Sequence, residues 1–261
     1  MSRFSNKVIV ITGAARGIGL ATAKRFAREG GDVAFVDMDG ERAASAAAAV
    51  ASESGVRTLV SRINIADIED VRRGRQEIVE RFGVPDVFVN CAAITDDKLF
   101  LDSTPQDWKR ILSVDLDGAL NCLHTFLPDM VARGGGRVIF LASDSARLGQ
   151  ARLSYYAAAK AGVIALVKSV AQEVGRSGVT INVISPGATN TEMRIEREAG
   201  LLAQMGPEKY ERRQKSVLKM YPMGRVGVPD DIASGILFLA SDEAAWVTGQ
   251  VLSINGGFCM I

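Results

Sequence analysis

Tyr156 and Lys160 carry side chains that can exchange a proton without a histidine. They lie in the stretch SYYAAAKAG at the start of an apolar helical pattern, so their i,i+4 spacing puts phenol and ammonium on one helix face. A free phenol has a pKa near ~10, and an adjacent cation favours the phenolate and moves that pKa towards the working range. The pair therefore predicts a proton donor and acceptor. Tyr155 is set aside because the residue at its i+4 position, Ala159, is uncharged.

Other kinds of catalytic site are disfavoured by the counts of histidine and cysteine. His124, the only histidine, lies in the apolar stretch LNCLHTFL, and we predict that it is a core or interface residue; this argues against a Ser-His-Asp hydrolase. Cys91, Cys122 and Cys259 are too few and too scattered for a disulfide framework, and with one histidine they do not make a four-ligand metal site. The sequence predicts no metal and a reducing compartment.

A glycine-rich turn, Thr12-Gly13-Ala14-Ala15-Arg16-Gly17-Ile18-Gly19, follows an apolar run and precedes a helical pattern. Gly13 permits the tight turn, Gly17 lets the backbone approach a pyrophosphate, and Gly19 allows the helix to pack closely on the strand. Free N–H groups and the helix dipole favour negative charge at this point. The segment predicts a dinucleotide site to which Arg16 and Ile18 also contribute.

Asp37 indicates which dinucleotide is bound. It ends the second apolar run, where a carboxylate can accept hydrogen bonds from both adenosine ribose hydroxyls and would repel a 2′-phosphate. Arg16 is the competing signal, because a guanidinium in the turn can pair with a 2′-phosphate. We predict that the cofactor is NAD, and NADP is the less favoured alternative. Another alternative is that Asp37 only begins a turn and does not bind the cofactor.

The elements that must position these residues alternate along the chain. Short β-branched apolar runs predict seven strands, at 7–12, 32–37, 55–60, 85–90, 136–142, 179–185 and 249–254. Longer helical stretches separate them, at 17–29, 41–53, 67–82, 105–132, 156–175 and 229–240. This pattern predicts an α/β fold, a Rossmann-like doubly wound parallel sheet of seven strands in three α/β/α layers, as one domain over residues 1–261. Segment 188–224 fits neither element type, and we predict a substrate lid there.

Composition limits the partners. The 261 residues are 48% hydrophobic, and 31 Lys+Arg against 30 Asp+Glu leave a net charge of +1, so there is no basic field for nucleic acid or an acidic membrane surface. No apolar run approaches the ~20 residues of a membrane span, and the beginning of the sequence has no signal-peptide pattern. We expect a cytoplasmic protein that acts on a small molecule.

Taken together, these motifs resemble those of the short-chain dehydrogenase/reductase family. T-G-x-x-x-G-x-G, N-x-A, a serine thirteen residues before the tyrosine, Y-x-x-x-K and P-G-x-x-x-T occur in family order along the whole chain. The resemblance implies that Ser143 hydrogen-bonds the substrate oxygen, Tyr156 exchanges its proton, and Lys160 binds the nicotinamide ribose and tunes the tyrosine. It also implies a homotetramer built partly on the helices at 105–132 and 156–175. Further implied cofactor contacts are Asn90 and Ala92 in the N-x-A motif, and Pro186, Gly187 and Thr191 on the nicotinamide side.

The sequence departs from the family pattern at three positions. Ala93 replaces a common glycine, and Asn64 stands where an aspartate often meets the adenine, although its carbonyl can still accept a hydrogen bond. Asp115 replaces an asparagine whose backbone carbonyl usually holds a water near the lysine. A carboxylate there could pair with Lys160 and alter the pKa of the tyrosine. We predict instead that it faces away, so that Asp115→Asn has no effect.

The substrate is the least determined feature. Residues 144–153, between Ser143 and Tyr156, and the lid at 188–224 are expected to line the substrate pocket. Arg147 and Arg152 are candidates for binding a substrate carboxylate or phosphate. The charged residues of 194–215, with a local charge of +2, are expected to form a solvated face, and binding of an anionic substrate tail is the alternative. LASDSARLG and GQVLSINGGFCM resemble hydroxyacyl-CoA dehydrogenases within the family. The alternatives are an NADPH-dependent 3-oxoacyl-carrier-protein reductase, which Asp37 argues against, and a non-catalytic nucleotide-sensing regulator, which the Ser-Tyr-Lys set argues against.

Overall fold

A parallel sheet of seven strands forms the centre of the protein in a computed structural model, which describes residues 2–261. The strands are β1 (Val8–Thr12), β2 (Asp32–Asp37), β3 (Thr58–Arg62), β4 (Val87–Asn90), β5 (Gly136–Leu141), β6 (Val179–Pro186) and β7 (Val251–Ile254). Their order is β3-β2-β1-β4-β5-β6-β7, and every neighbouring pair is parallel. The predicted doubly wound α/β fold is confirmed, and β3 begins three residues later than the sequence predicted.

Helices cover both faces of the sheet. They are α1 (Gly17–Arg28), α2 (Gly40–Ser54), α3 (Ile68–Phe82), α4 (Pro105–Leu112), α5 (Gly118–Arg133), α6 (Ser145–Leu148), α7 (Ser154–Val174), α8 (Glu192–Met205), α9 (Pro207–Lys219) and α10 (Pro229–Ala240). The predicted helix 105–132 is interrupted, since one turn of π-helix, Ser113–Asp117, joins α4 to α5. None of the helices described is both long and apolar enough to cross a membrane.

The central strands β1, β4 and β5 are mostly apolar because both of their faces are covered. In β1 all five residues are buried; Ile9 and Ile11 pack with Phe26 of α1 in one core, while Val10 packs with Phe88 and Phe126 in the core of the opposite face. Alternate residues of one strand thus stabilise two separate layers. The sheet is thereby fixed between helices, and the loops that follow its strands meet along one edge.

Candidate active site

A cavity of about 780 Å³ opens where the loops after the strands meet helices α8 and α9. This is the edge at which doubly wound sheets bind ligands, and the volume suits a cofactor with a small substrate. Its lining includes Ser143 and all but one of the predicted cofactor residues: Gly13, Arg16, Gly17, Ile18, Gly19, Asp37, Asn64, Ala92, Tyr156, Lys160, Pro186, Gly187 and Thr191. The exception is Asn90.

The glycine turn leaves no room for side chains at two positions. Gly13 has φ +65°, and a Cβ there would lie 2.8 Å from the Ala92 backbone; a Cβ on Gly19 would lie 2.1 Å from the Gly13 carbonyl oxygen. No side chain caps the N-terminus of α1, where Arg16 occupies the N-cap position, and its first turn has no acidic residue. Its N–H groups can therefore bind an anion, so the turn fits the pyrophosphate of a dinucleotide.

Asp37 is held rigidly at the end of β2. Its Oδ2 accepts a hydrogen bond from the Ala15 N–H at 3.0 Å, and its Oδ1 accepts one from the Asp39 N–H at 3.0 Å. Arg16 turns away from this carboxylate and donates from Nη1 to Oε1 of Glu196 in α8, at 2.8 Å. The cavity wall at the predicted ribose position therefore carries a fixed negative charge.

Asn90 lies behind the cavity wall and acts through its neighbours. It is 3% exposed, and its Oδ1 accepts a hydrogen bond from Thr12 Oγ1 at 2.5 Å. The same hydroxyl accepts from the Ala92 N–H at 3.2 Å, so Asn90 links β4 to the glycine turn. Asn64 does line the cavity, and its Oδ1 already accepts a hydrogen bond from the Ala66 N–H at 3.1 Å.

The three predicted catalytic residues come together at the other end of the cavity. Tyr156 and Lys160 lie on α7, with Lys160 Nζ 5.7 Å from the centroid of the Tyr156 ring, and Ser143 follows β5. Burial raises the pKa of the Tyr156 phenol, and the Asp115 charge adds to this rise. The Lys160 charge and a hydrogen bond with Ser143 lower the pKa, but the net shift is upward. By contrast, the Tyr155 hydroxyl donates to Asp96 Oδ2 at 2.6 Å and lies outside the cavity lining.

The prediction that Asp115 faces away is wrong. Its Oδ2 lies 3.3 Å from Lys160 Nζ, and its Oδ1 accepts a hydrogen bond from the Ile94 N–H at 2.9 Å. Asp115 is 1% exposed in the π-helical turn, and the physical reason for its inward position is that Lys160 and the Ile94 N–H give this buried carboxylate its partners. Burial lowers the pKa of Lys160, but Asp115 and the Tyr156 phenol outweigh it, so that the ammonium is stabilised. The pKa of Asp115 is raised by burial, which the Lys160 charge offsets only in part.

Asp144 begins the segment 144–153 that was predicted to line the substrate pocket, but the sequence analysis assigned it no role of its own. It is 2% exposed and lines the cavity directly after Ser143. Its Oδ1 accepts a hydrogen bond from Ser185 Oγ at 2.8 Å and its Oδ2 accepts one from Asn255 Nδ2 at 2.7 Å. Asp144 therefore fixes the Ser143 loop to the ends of β6 and β7. Its position after a strand, beside a catalytic residue, was the available signal.

The predicted substrate contacts Arg147 and Arg152 do not line the cavity. Arg147 donates to Ser253 Oγ of β7, and Arg152 pairs with Asp97 in the loop after β4. Both guanidinium groups are thus held by the protein itself. The loop instead contributes Gln150 and Leu153 to the lining, together with Asp144 and Ser145.

Segment 188–224, the predicted lid, contains α8 and α9 and supplies one wall of the cavity. Its charged residues divide into two groups. Lys215 and Glu211 form an exposed ion pair at 2.7 Å, as expected for a solvated face. Arg194, Arg197 and Arg213 instead line the cavity, contrary to that expectation.

The remaining cysteine and histidine side chains supply neither a nucleophile nor a metal site. Cys91 lines the cavity, but burial raises the pKa of its thiol to about 12, so it is a poor nucleophile at neutral pH. His124 is exposed on α5, where the helix turns this residue away from the sheet, so the core alternative is wrong and the interface alternative stays a prediction. Within residues 2–261 no three His, Cys, Asp or Glu side chains are grouped so as to hold a metal ion.

The fold and the site define a short-chain dehydrogenase/reductase. A family model described as enoyl-(acyl carrier protein) reductase matches residues 13–259, and the chain belongs to this family of NAD(P)-dependent oxidoreductases. It is 35% identical over 254 residues to the 3-oxoacyl-acyl-carrier-protein reductase FabG of Staphylococcus aureus, covering 97% of this chain and 98% of the relative. The FabG protein of Thermotoga maritima is 35% identical over 257 residues, with 98% of each chain covered. The crystal structure of a levodione reductase superposes with a TM-score of 0.91 at 34% identity, covering 98% of both chains.

Proposed function

We propose that this protein transfers a hydride between NAD and a secondary alcohol or ketone, with Tyr156 as the acid and base. The observation that carries the proposal is that Ser143, Tyr156 and Lys160 line the same cavity as the glycine turn and Asp37. One end of that cavity is built for a dinucleotide, and the other end holds a buried group that can exchange a proton. The bound nicotinamide would supply the hydride in ketone reduction and accept it in alcohol oxidation.

The side chains have separable tasks in this reaction. In reduction, the Ser143 hydroxyl donates a hydrogen bond to the carbonyl oxygen, and the Tyr156 hydroxyl gives that oxygen a proton. The buried Lys160 ammonium stabilises the phenolate left behind, because opposite charges interact strongly away from water. In oxidation the phenolate takes the proton back.

Three parts of the chain would hold the cofactor. The N–H groups at the start of α1 would bind the pyrophosphate, and Asp37 the adenosine ribose hydroxyls. Pro186, Gly187 and Thr191 would form the nicotinamide side of the pocket. Asp37 favours NAD over NADP, since its fixed carboxylate would repel a 2′-phosphate while Arg16 is paired with Glu196.

For the substrate we propose a hydroxyacyl thioester. The sequence LASDSARLG resembles that of hydroxyacyl-CoA dehydrogenases such as 2-hydroxycyclohexanecarboxyl-CoA dehydrogenase, which act on substrates of this kind. The specific observation that favours a second candidate, reduction of a 3-oxoacyl group on acyl carrier protein, is the similarity to the two FabG proteins. Measurements of turnover distinguish these candidates. The substrates are secondary alcohols, ketones, hydroxyacyl-CoA esters and 3-oxoacyl-carrier-protein, each tested with NAD(H) and with NADP(H). Preference for 3-oxoacyl-carrier-protein with NADPH would contradict both the substrate and the cofactor proposed.

We also propose that the protein is a cytoplasmic homotetramer. Its three cysteines are free thiols, which suits a reducing compartment. On α5, Leu120 is 43% exposed, and His124 lies four residues later on the same exposed face. An exposed leucine on this helix supports subunit contacts there.

Tyr156→Phe tests the catalytic assignment. The change keeps the ring but removes the exchangeable proton, so we expect kcat to fall by about 10²–10⁴ with NAD affinity largely retained. Tyr155→Phe is the matched control, since it removes a hydroxyl bonded to Asp96 outside the cavity, and it should cost far less. Equal losses in the two variants, or full activity of Tyr156→Phe, would refute the role of Tyr156.

A further inference from the structure

The wall of the cavity formed by α8 and α9 carries an excess of positive charge. Arg194, Arg197 and Arg213 line this wall together with one carboxylate, Glu192, which pairs with Arg42 at 3.4 Å. Two further carboxylates lie beside the three arginines. Asp97 pairs with Arg197 but also with Arg152, and Glu198 pairs with Arg213 at 2.7 Å and with Arg194 at 3.5 Å. Four guanidinium groups therefore share two carboxylates beside the cavity.

Arg194 is the least satisfied of these cations. Its side chain is 15% exposed, and among residues 2–261 its guanidinium donates no hydrogen bond. Glu198, its ion-pair partner, already accepts hydrogen bonds through Oε2 from Arg213 and from Gln214, at 2.7 and 2.6 Å. A guanidinium has five N–H donors in a fork that matches a carboxylate or phosphate, so Arg194, whose one ion-pair contact is at 3.5 Å, keeps donors for a further anion.

The surroundings of Arg194 place it near the reacting end of the cavity. Its charge acts on the Tyr221 hydroxyl: burial raises the pKa of that phenol, and the Ala188 N–H and Arg194 oppose the rise. Tyr221 lines the cavity and accepts a hydrogen bond from the Ala188 N–H at 2.9 Å. Ala188 follows Pro186-Gly187, the segment assigned to the nicotinamide side.

We propose that Arg194 binds an anionic group of the substrate, a carboxylate or a phosphate, and so selects charged over neutral carbonyl compounds. This inference rests on the proposed function only in calling the ligand a substrate, because the anion site itself can be tested by binding. The glycine turn and the start of α1 already provide for the cofactor pyrophosphate. Arg194 lies beyond them, on the helix that also supplies Arg197.

The test measures binding to the full-length, NADH-loaded protein by calorimetry, with two pairs of probes. Cyclohexanecarboxylate is compared with cyclohexanecarboxamide, and 4′-phosphopantetheine with pantetheine, which lacks only the phosphate. We expect at least one anion to bind about ten to a hundred times more tightly than its neutral counterpart, as hydrogen bonds between charged groups allow. The pair that shows the preference identifies the source of the anion.

Arg194→Met should abolish that preference, and Arg194→Lys should retain part of it. Lys215→Met is the matched control, because it removes the same charge from the exposed face of the same segment and should change nothing. A preference absent from the wild-type protein, or surviving in Arg194→Met, would overturn the proposal. A parallel loss of NADH affinity in Arg194→Met would also overturn it, since Arg194 would then serve the cofactor.

Turnover separates this inference from the proposed function. If the anion preference is present but no ketone or alcohol is turned over, the anion site stands and the proposed function fails. If ketones are reduced and neither anion is preferred, the function stands and the role of Arg194 fails.

Discussion

Asp115 and Lys160 place opposite charges beside the Tyr156 phenol, 3.3 Å from one another and almost fully buried. Alcohol oxidation needs the phenolate, so its rate should rise with pH through the pKa of Tyr156. The Asp115 charge raises that pKa. We therefore expect Asp115→Asn to move the rising limb of the kcat/KM profile to lower pH.

The asparagine amide can still accept the hydrogen bond from Ile94, so this substitution removes charge with little change of shape. Asp117→Asn is the control, because Asp117 lies in the same π-helical turn but is exposed, and its profile should match that of the wild type. An unchanged Asp115→Asn profile would mean that the carboxyl is already protonated. A shift to higher pH would mean that Lys160 loses its proton without Asp115.

Asp37 should determine the choice of nucleotide. With its carboxylate fixed by the Ala15 and Asp39 N–H groups, we expect kcat/KM to favour NAD over NADP by at least about tenfold, or ~1.4 kcal/mol. Asp37→Ala should reduce that ratio, mostly by improving the use of NADP. Glu41→Ala removes an exposed charge from the first turn of α2 and should leave the ratio unchanged. Equal use of both nucleotides by the wild-type protein would refute this role.

At the scale of elements, Asp97 connects the loop after β4 to helix α8. It accepts hydrogen bonds from Arg152 of the α6–α7 loop and from Arg197 of α8. Burial raises the pKa of Asp97, but these two guanidinium groups outweigh it, and the net shift is downward. A lowered pKa means that the contact is complete above the usual carboxyl range and is lost only on acidification below it.

Asp97→Ala should therefore loosen α8 at neutral pH. We expect amide exchange across Glu192–Met205 to accelerate roughly fivefold, corresponding to about 1 kcal/mol for a partly exposed ion pair. Exchange in β1 should not change. Asp102→Ala, which removes an exposed carboxylate from the same loop region, serves as the control. Unchanged exchange in α8 would show that packing alone holds this helix.

The sequence predicted those elements and residues whose role depends on local pattern. The seven strands follow from continuous apolar runs, and the glycine turn from steric limits that only glycine meets, as at Gly13 and Gly19. The inward position of Asp115 depends on two partners distant in sequence, Lys160 and the Ile94 N–H, and it was predicted wrongly. The exposure of His124 and the inward position of Arg194 depend on how whole helices pack, which charge and hydropathy do not specify.

At the scale of the whole molecule, the proposed tetramer gives a mass prediction. Light scattering should show four chains of 27.9 kDa, and Leu120→Glu on α5 should shift the mass to smaller species because it puts a charge into an apolar contact. Leu218→Glu alters a similarly exposed leucine on α9 and should keep the wild-type mass. A monomer at micromolar concentration would refute the assembly.

The hydrogen bond between Asn255 and Asp144 has a consequence for the time at which activity appears during synthesis. The strands of the nucleotide half, β1 to β3, are complete by residue 62, and a chain emerging from the ribosome can begin to fold from that end. The last anchor of the Ser143 loop cannot form until residue 255 has been made, 111 positions after Asp144. Nascent chains can therefore form the adenosine part of the dinucleotide site well before they can turn over substrate, and competence for catalysis is among the last properties that translation confers.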